Sequence, residues 1–500
     1  MRTPRYAGLI LALAATSVAG CTVGPNFRPP TPDLPAAWSA SAQTSAGQPS
    51  QVTAAPAAGG EAAWWKNFND PELTSLVGRV AAANLDAKEA LLRIAEARAQ
   101  RDVAAADEWP LVNANASGQV DRLSETTPTG ALFSKVSQFP GLSGVSIPNP
   151  YDQYQVGFDA TWEVDLFGRV RRSVEAARAD TQASVEDSRA VLISTLGDVG
   201  RAYIDLRGAQ AKRRVVEENI ATERDLLGLA GQRRLAGLNT EIDVARAAAE
   251  ASSSAAQMPL LDRQITADIN QLSKLMDLAP GALRAELDGP GATPAGPRFV
   301  LIGLPSELAR RRPDIREAEA RLHAATAQVG VAVADLYPKV TLNANGGLQA
   351  ETVSLLSAWG SRFLVAGPSV ELPIFDAGRR RANVRLQSDR AAEAVLDYRR
   401  TVLGALHEVD DALAAFGADQ RRQQALTESV ARNQDAVDLA RQRYTSGVAS
   451  FIDVLDAERT LEQGQLTLTD SATSVSVDLV ALYKALGGGW TTTGTSRAIW

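Results

Sequence analysis

Tyr154-Gln155-Val156-Gly157-Phe158-Asp159-Ala160-Thr161-Trp162-Glu163-Val164-Asp165-Leu166 is the stretch that decides how this chain folds. Val156, Phe158, Ala160, Trp162, Val164 and Leu166 are apolar, with Gly157, Asp159, Thr161, Glu163 and Asp165 between them. Strand side chains alternate between faces, so the stretch predicts a β-strand with one apolar and one polar side. Three more segments read the same way. Val112, Ala114, Ala116 and Val120 alternate with Asn113, Asn115, Ser117, Gln119 and Asp121; Val340, Leu342, Ala344 and Leu348 alternate with Thr341, Asn343, Asn345 and Gln349. Leu364, Ala366, Val370, Leu372 and Ile374 face one way, against Val365, Gly367, Ser369 and Glu371. Each segment is about the 9–11 residues that a tilted strand needs to cross a bilayer. A half-buried soluble sheet would alternate similarly, and the strand ends bear on that choice.

Trp109-Pro110 and Tyr337-Pro338 stand where two of the segments begin, and Phe167 and Phe375 where the other two end. Proline cannot continue a helical ladder, so it marks a switch from helix to strand. Aromatic rings at such junctions suit a membrane–water interface. The strands pair off as hairpins, 111–167 and 339–375. A four-stranded sheet in lipid leaves two edges of unpaired N–H and C=O groups, each costing several kcal/mol. Four strands cannot close a barrel, so several copies must pool their hairpins. Two copies would make a plugged barrel of about eight strands; three would make a wider, polar bore. The residues alone favour three only slightly.

Outside the hairpins the chain repeats itself. Gln232, Arg233 and Gly237 recur 210 positions on as Gln442, Arg443 and Gly447, and Ile242-Asp243-Val244 recurs as Ile452-Asp453-Val454. Ala90, Arg93, Ala97, Asp107, Pro110 and Val112 recur at a spacing of 228. A period this long describes a duplicated structural half, not a solenoid unit. Heptad seams run through both halves: Leu192, Leu196, Val199, Tyr203 and Leu206, then Val402, Leu406, Val409, Leu413 and Phe416. Such seams predict long helices packed as coiled coils. Gly197, Gly200 and Gly208 argue against unbroken helix through the first.

The termini and linkers give the domain boundaries. Arg2 and Arg5, the apolar run Ala7–Ala15 and Val18-Ala19-Gly20-Cys21 resemble a lipoprotein signal over 1–20, with lipid on Cys21, the only cysteine. Removing Arg2 and Arg5 takes the net charge from −7 to −9, which argues against a nucleic-acid partner. Residues 21–63 read as a Pro/Ala-rich extended tether, 64–288 as the first repeat, 289–303 as a linker, 304–488 as the second repeat and 489–500 as a frayed tail. Asp70-Pro71-Glu72 and Asp314 with Glu317 look like helix starts. The run Arg310-Arg311-Arg312 reads as a solvated face that pairs with Glu317 and Glu319.

Taken in order, these features resemble the TolC-type outer-membrane efflux channels, lipoprotein branch. Val23-Gly24-Pro25, Trp64-Trp65 with Phe68, Leu304-Pro305-Ser306, Arg311-Arg312-Pro313-Asp314-Ile315-Arg316 and Leu482-Tyr483-Lys484-Ala485-Leu486-Gly487 carry the resemblance over about residues 18–490. It implies a mixed α/β membrane protein with an internal two-fold repeat. A homotrimer would form a twelve-stranded outer-membrane β-barrel, four strands per chain, continued by a long α-helical coiled-coil periplasmic barrel. The implied partners are a periplasmic adaptor (membrane fusion) protein, an inner-membrane RND-type transporter and outer-membrane lipid. There is no cofactor beyond the lipid on Cys21.

The resemblance also places a periplasmic gate at the helix tips 233–243 and 443–456. Asp453 and Asp456 match constriction aspartates, while Asp243 and Tyr444 match an inter-helix tie. Ala449 stands where relatives carry arginine or a large apolar residue. Three copies of a carboxylate around a bore would concentrate cations and raise one another's pKa. Gly237 and Gly447 are expected in the tip turns, where positive φ favours glycine, and those turns are the expected adaptor-docking notches. Catalysis has little to work with: His323 and His407 are the only histidines, and neither nucleotide loop nor metal-ligand spacing occurs. The other readings are a structural coiled-coil lipoprotein without channel activity and the exit duct of a type I secretion system.

Overall fold

The computed structural model describes residues 22–31, 34–35, 38–39, 52–54, 60–135, 148–297, 300–302 and 304–490. Cys21 therefore lies outside the described residues, as do the leader and most of the tail. In chain order the elements are β1 (Val52–Ala54), α1 (Pro71–Ala83), α2 (Leu85–Ala106), β2 (Leu111–Asp121), α3 (Pro128–Ser134), β3 (Tyr151–Val164), α4 (Arg169–Leu235), α5 (Glu241–Ala255) and α6 (Met258–Leu275). The second half holds α7 (Arg284–Leu287), β4 (Val300–Ile302), α8 (Pro305–Arg311), α9 (Pro313–Ala334), β5 (Lys339–Ala350), β6 (Arg362–Glu371), α10 (Arg379–Thr445) and α11 (Phe451–Ala485). Among the described residues, no helix is long and apolar enough to cross a membrane. Two compact units divide within α2, α4, α9 and α10.

The first unit gathers the N-terminal segment to Pro29 with residues 96–181 and 321–395. Its sheet is antiparallel, in the order β2-β3-β5-β6, so each predicted hairpin forms and the two join through β3 and β5. Register carries the apolar parity from strand to strand. Ala114 opposes Phe158, Phe158 opposes Gly346, and Gly346 opposes Leu364. Val164, Val340 and Val370 line up in the same way. On the other parity Asn113, Asp159 and Asn345 align, and Asp159 accepts from Asn113 and Asn115 at 3.1 and 2.9 Å. Directly opposed residues share a face, so this is a single sheet with one apolar and one polar side.

Residues 22–29, the described start of this unit, are docked. Val23 N–H donates to Phe167 O at 3.1 Å, and Phe27 stacks on His323 at 4.4 Å. Arg172 donates to Asn26 Oδ1 at 2.5 Å. Gly24 and Gly330 meet backbone to backbone: a Cβ on Gly24 would lie 2.6 Å from Gly330 Cα.

In the second unit, residues 30–95, 182–320 and 396–500, the regular structure among the described residues is helical apart from the parallel pair β1–β4. Asp70 caps α1 as expected, its carboxylate accepting from Leu73 N–H at 2.9 Å. The heptad residues Leu196, Val199, Tyr203, Leu206, Val402, Val409, Leu413 and Phe416 are all buried in one core with Trp64, Phe68 and Tyr483. α4 is unbroken, and Gly200 and Gly208 serve packing instead of interruption. A Cβ on Gly200 would lie 2.5 Å from the Trp64 ring, and one on Gly208 2.4 Å from Thr473 Oγ1.

Two local expectations change here. Arg312, not Asp314, caps α9, since Arg316 N–H bonds to the Arg312 carbonyl at 3.2 Å. Arg312 is also no solvated face: it is largely buried and pairs with Asp314 at 2.8 Å and Glu408 at 2.7 Å, while donating to Ala485 O. The linker is anchored along its described residues, 289–297 and 300–302. Gly289 O accepts from Arg207 at 2.9 Å, Pro294 O accepts from Ser476 at 2.7 Å, and β4 pairs with β1.

Candidate functional site: helix tips and an apolar sheet face

Each helix tip is built by the same local code. α4 and α10 end in a turn whose glycine has positive φ, +79° at Gly237 and +75° at Gly447. Leu238 N–H then reaches back to Arg233 O at 2.8 Å, and Val448 N–H to Arg443 O at 2.9 Å. These are Schellman closures, which satisfy carbonyls that the helix end leaves open. The next helix starts with a capping box, Thr240 with Asp243 in one tip and Ser450 with Asp453 in the other. The signal lay in the sequence as two hydroxyl residues, each three positions before an acid.

The equivalent positions differ in chemistry. Arg234 pairs with Glu241 at 3.1 Å in the first tip, while Tyr444 packs on Phe451 at 5.5 Å in the second. Tyr444 is buried with Leu226, Ala230, Ala247, Val454 and Leu455, and the Arg233 guanidinium lies 4.5 Å from its ring centre. Its hydroxyl accepts from Asn239 Nδ2 at 2.7 Å and donates to Asn239 Oδ1 at 3.0 Å. The tie between the tips therefore runs from Tyr444 to Asn239. Asp243, the expected partner, instead accepts from the Thr240 N–H and Oγ at 2.9 Å each.

Asp453 and Asp456 are both exposed on α11. Asp453 Oδ2 accepts from Ser450 Oγ at 2.9 Å and Ser450 N–H at 2.8 Å. Those bonds, side chain first, hold its carboxyl below the usual carboxylate range, with Arg443 adding a smaller effect. Within one chain this is opposite in direction to the like-charge rise expected for a ring of carboxylates. Asp453 is thus a helix cap as well as a candidate constriction residue; Asp456 has no such duty among the described contacts.

In the sheet unit, Trp109 and Phe375 stand exposed, Phe375 at 88%. Tyr337 and Phe167 stack on each other at 4.7 Å. Trp162 donates its indole N–H to Glu108 O at 3.0 Å. Beside these rings the polar parity ends in ion pairs: Glu163 lies 2.6 Å from Arg169 and 3.0 Å from Lys339.

The description of outer membrane efflux proteins matches residues 76–277 and 304–488. The chain belongs to this family, that of the TolC-type outer-membrane factors. It is 33% identical over 491 residues to the outer membrane protein OprJ of Pseudomonas aeruginosa, covering 98% of this chain and 97% of OprJ. It is 32% identical over 488 residues to the toluene efflux pump outer membrane protein TtgC of Pseudomonas putida, covering 96% of this chain and 95% of TtgC. Among solved structures, the outer-membrane channel OprN superposes with a TM-score of 0.84 at 34% identity, over 94% of this chain and 100% of OprN. The family is one of outer-membrane efflux channels, not of enzymes.

Proposed function

We propose that this chain is the outer-membrane exit duct of a tripartite efflux pump, and that three copies join their sheets into one twelve-stranded barrel. The observation that carries the proposal is the register-locked parity. Val156, Phe158, Leu342, Leu364 and Val370 share a face across the whole sheet and are exposed in the isolated chain. An apolar face of that extent needs lipid or a partner to cover it. β2 and β6 each pair on one side only among the described residues. In lipid those edges require partners, which β6 of one copy and β2 of the next supply. The lumen is then the polar parity carrying Asn113, Asp159 and Asn345.

Lipid on Cys21 anchors each copy, and Trp109, Tyr337, Phe167 and Phe375 mark the membrane–water boundary. The helix tips act as the gate, with Asp456 and Asp453 facing the constriction and the Tyr444–Asn239 bond holding it shut. The turns at Gly237 and Gly447 receive the periplasmic adaptor, which connects to an inner-membrane RND-type transporter. The duct does no chemistry on its cargo and holds no cofactor. Cargo choice rests with the transporter.

Native mass measurement in detergent and single-channel recording test this together: a trimer that conducts is expected. A monomer without current would overturn it and favour a structural lipoprotein. Asp456→Ala is the clean gate variant, because Asp453→Ala also removes a helix cap. Loss of cation preference is expected, and unchanged selectivity would remove Asp456 from the constriction.

A further inference from the structure

Away from the tips, α4, α5 and α11 bring three glutamates together. One carboxylate oxygen from each of Glu223, Glu250 and Glu462 lies within 4.8 Å of the others. Glu223 is 3% exposed. Its Oε1 accepts from the Ser254 hydroxyl at 2.7 Å, while its buried Oε2 has no hydrogen-bond partner among the described residues. Leaving a buried carboxylate oxygen unanswered is costly, and a nearby like charge makes it more so. Arg459, 3.0 Å from Glu250, answers one of the three negative charges. The adjacent Glu458 is matched by Arg441 at 2.6 Å. Burial first, and the Glu223 charge second, push the Glu462 carboxyl up to about 8, so at neutral pH it holds a proton against Glu223. With Glu250 answered by Arg459, the cluster keeps one negative charge that no described side chain neutralises, and a cation binding here displaces the Glu462 proton.

We infer that Glu223, Glu250 and Glu462, with the Ser254 hydroxyl, form a binding site for one divalent cation that clamps α11 onto the α4–α5 pair. The donor set decides the class of ion. It is all oxygen and mostly carboxylate, which suits calcium or magnesium and gives no imidazole or thiolate for zinc or copper. The ligands come from three helices, so an ion here would tie the first repeat to the second at one point. The arrangement tolerates irregular geometry, because Glu250 and Glu462 are only partly buried. That favours calcium, which accepts 6–8 flexible oxygen ligands, over magnesium, which demands a near-ideal octahedron. Binding would be of the weak extracellular kind, about 10⁻⁴–10⁻³ M.

The test is calcium binding to the detergent-solubilised full chain after chelation, compared with Glu462→Gln and Glu250→Gln. The tip aspartates are present in all three proteins, so their contribution cancels in the comparison. Wild type is expected to bind one more calcium per chain than either variant, and magnesium to compete at least tenfold more weakly. Calcium should also slow amide exchange around 223, 250 and 462 in the wild type alone. Equal binding by wild type and both variants overturns the site, as does exchange at these segments that ignores calcium. The outcome is independent of channel activity, so a failed conductance experiment leaves the assignment standing.

Discussion

Phe158→Lys asks directly whether the apolar parity faces lipid. Phe158 is the eighth of the fourteen residues of β3, so it sits at the middle of the strand. Its registered neighbours are Ala114 and Gly346, too small to shelter a charge. Val164, the nearer strand end, is six residues away, about 20 Å along the strand at ~3.3 Å per residue. A lysine stem cannot cover that distance to reach water. A lysine near the midplane of a membrane barrel costs about 2–4 kcal/mol. At about 1.4 kcal/mol per decade, the folded fraction falls roughly thirtyfold to several hundredfold per chain. Three equivalent sites in a trimer would bring the total to about 6–12 kcal/mol, well separated sites being close to additive.

Thr161→Lys is the control. Thr161 lies on the same strand with the opposite parity, between Leu111 and Asn343. An exposed change facing a wet lumen should move stability by no more than about 0.5 kcal/mol, while three added positive charges reduce cation conductance. The assay is folding into phospholipid vesicles, followed by urea titration. If Phe158→Lys folds as readily as Thr161→Lys, the apolar face is not in lipid and the barrel argument fails.

Tyr444→Phe keeps the ring against Phe451 but removes the two hydrogen bonds to Asn239, each worth about 0.5–1.5 kcal/mol net. Open probability in single-channel records should rise, Asn239→Ala should do the same, and the double variant should add little; an unchanged record would mean the bond is not a latch. Gly200→Ala places a methyl against the Trp64 ring, which is stacked on Tyr483 and has no room to retreat. Overpacking of about 1–3 kcal/mol should outweigh the ~1 kcal/mol gained in helix propensity, whereas Gly228→Ala, with open space around its Cβ, should be neutral or stabilising in thermal melts. Asp478 is pushed up to about 6 by burial first and by the Asp419 charge second. Because its folded pKa lies above the unfolded 3.8, its protonated form is favoured in the fold and stability declines as pH rises from about 4 to about 6. Asp478→Asn should flatten that slope and raise the urea midpoint at neutral pH; an unaltered pH profile would contradict the assignment.

The sheet was legible because period-two alternation and cross-strand register enforce one another. The strand ends were not, since pairing stops where partners run out. β6 ends at Glu371, opposite Lys339, the first residue of β5, so Leu372 and Ile374 continue the alternation past the last partner. β3 begins three residues earlier than its apolar pattern, because Tyr151, Asp152 and Gln153 find partners in Asp121, Val120 and Gln119. Gly200 and Gly208 read as helix weaknesses when only propensity is weighed, and their value appears once Trp64 and Thr473 are brought against them. Glu223, Glu250 and Glu462 follow no local spacing, so only tertiary packing assembles them.

The tip tie shows how duplication both reveals and conceals a site. The repeat identifies equivalent turns, and it sets Tyr444 opposite Arg234 and Asn239 opposite Ala449 at the spacing of 210. The Tyr444–Asn239 bond therefore exists only where the halves have diverged, one partner from each. An ancestral symmetric pair would carry the tie twice per chain or not at all. Three copies would then hold three ties, one inside each chain, while each Arg234–Glu241 ion pair stays within its own tip. Breaking the tie therefore frees the two tips of a chain from each other without touching the exposed Arg234–Glu241 pair, which salt weakens separately and which closes only the first tip on itself.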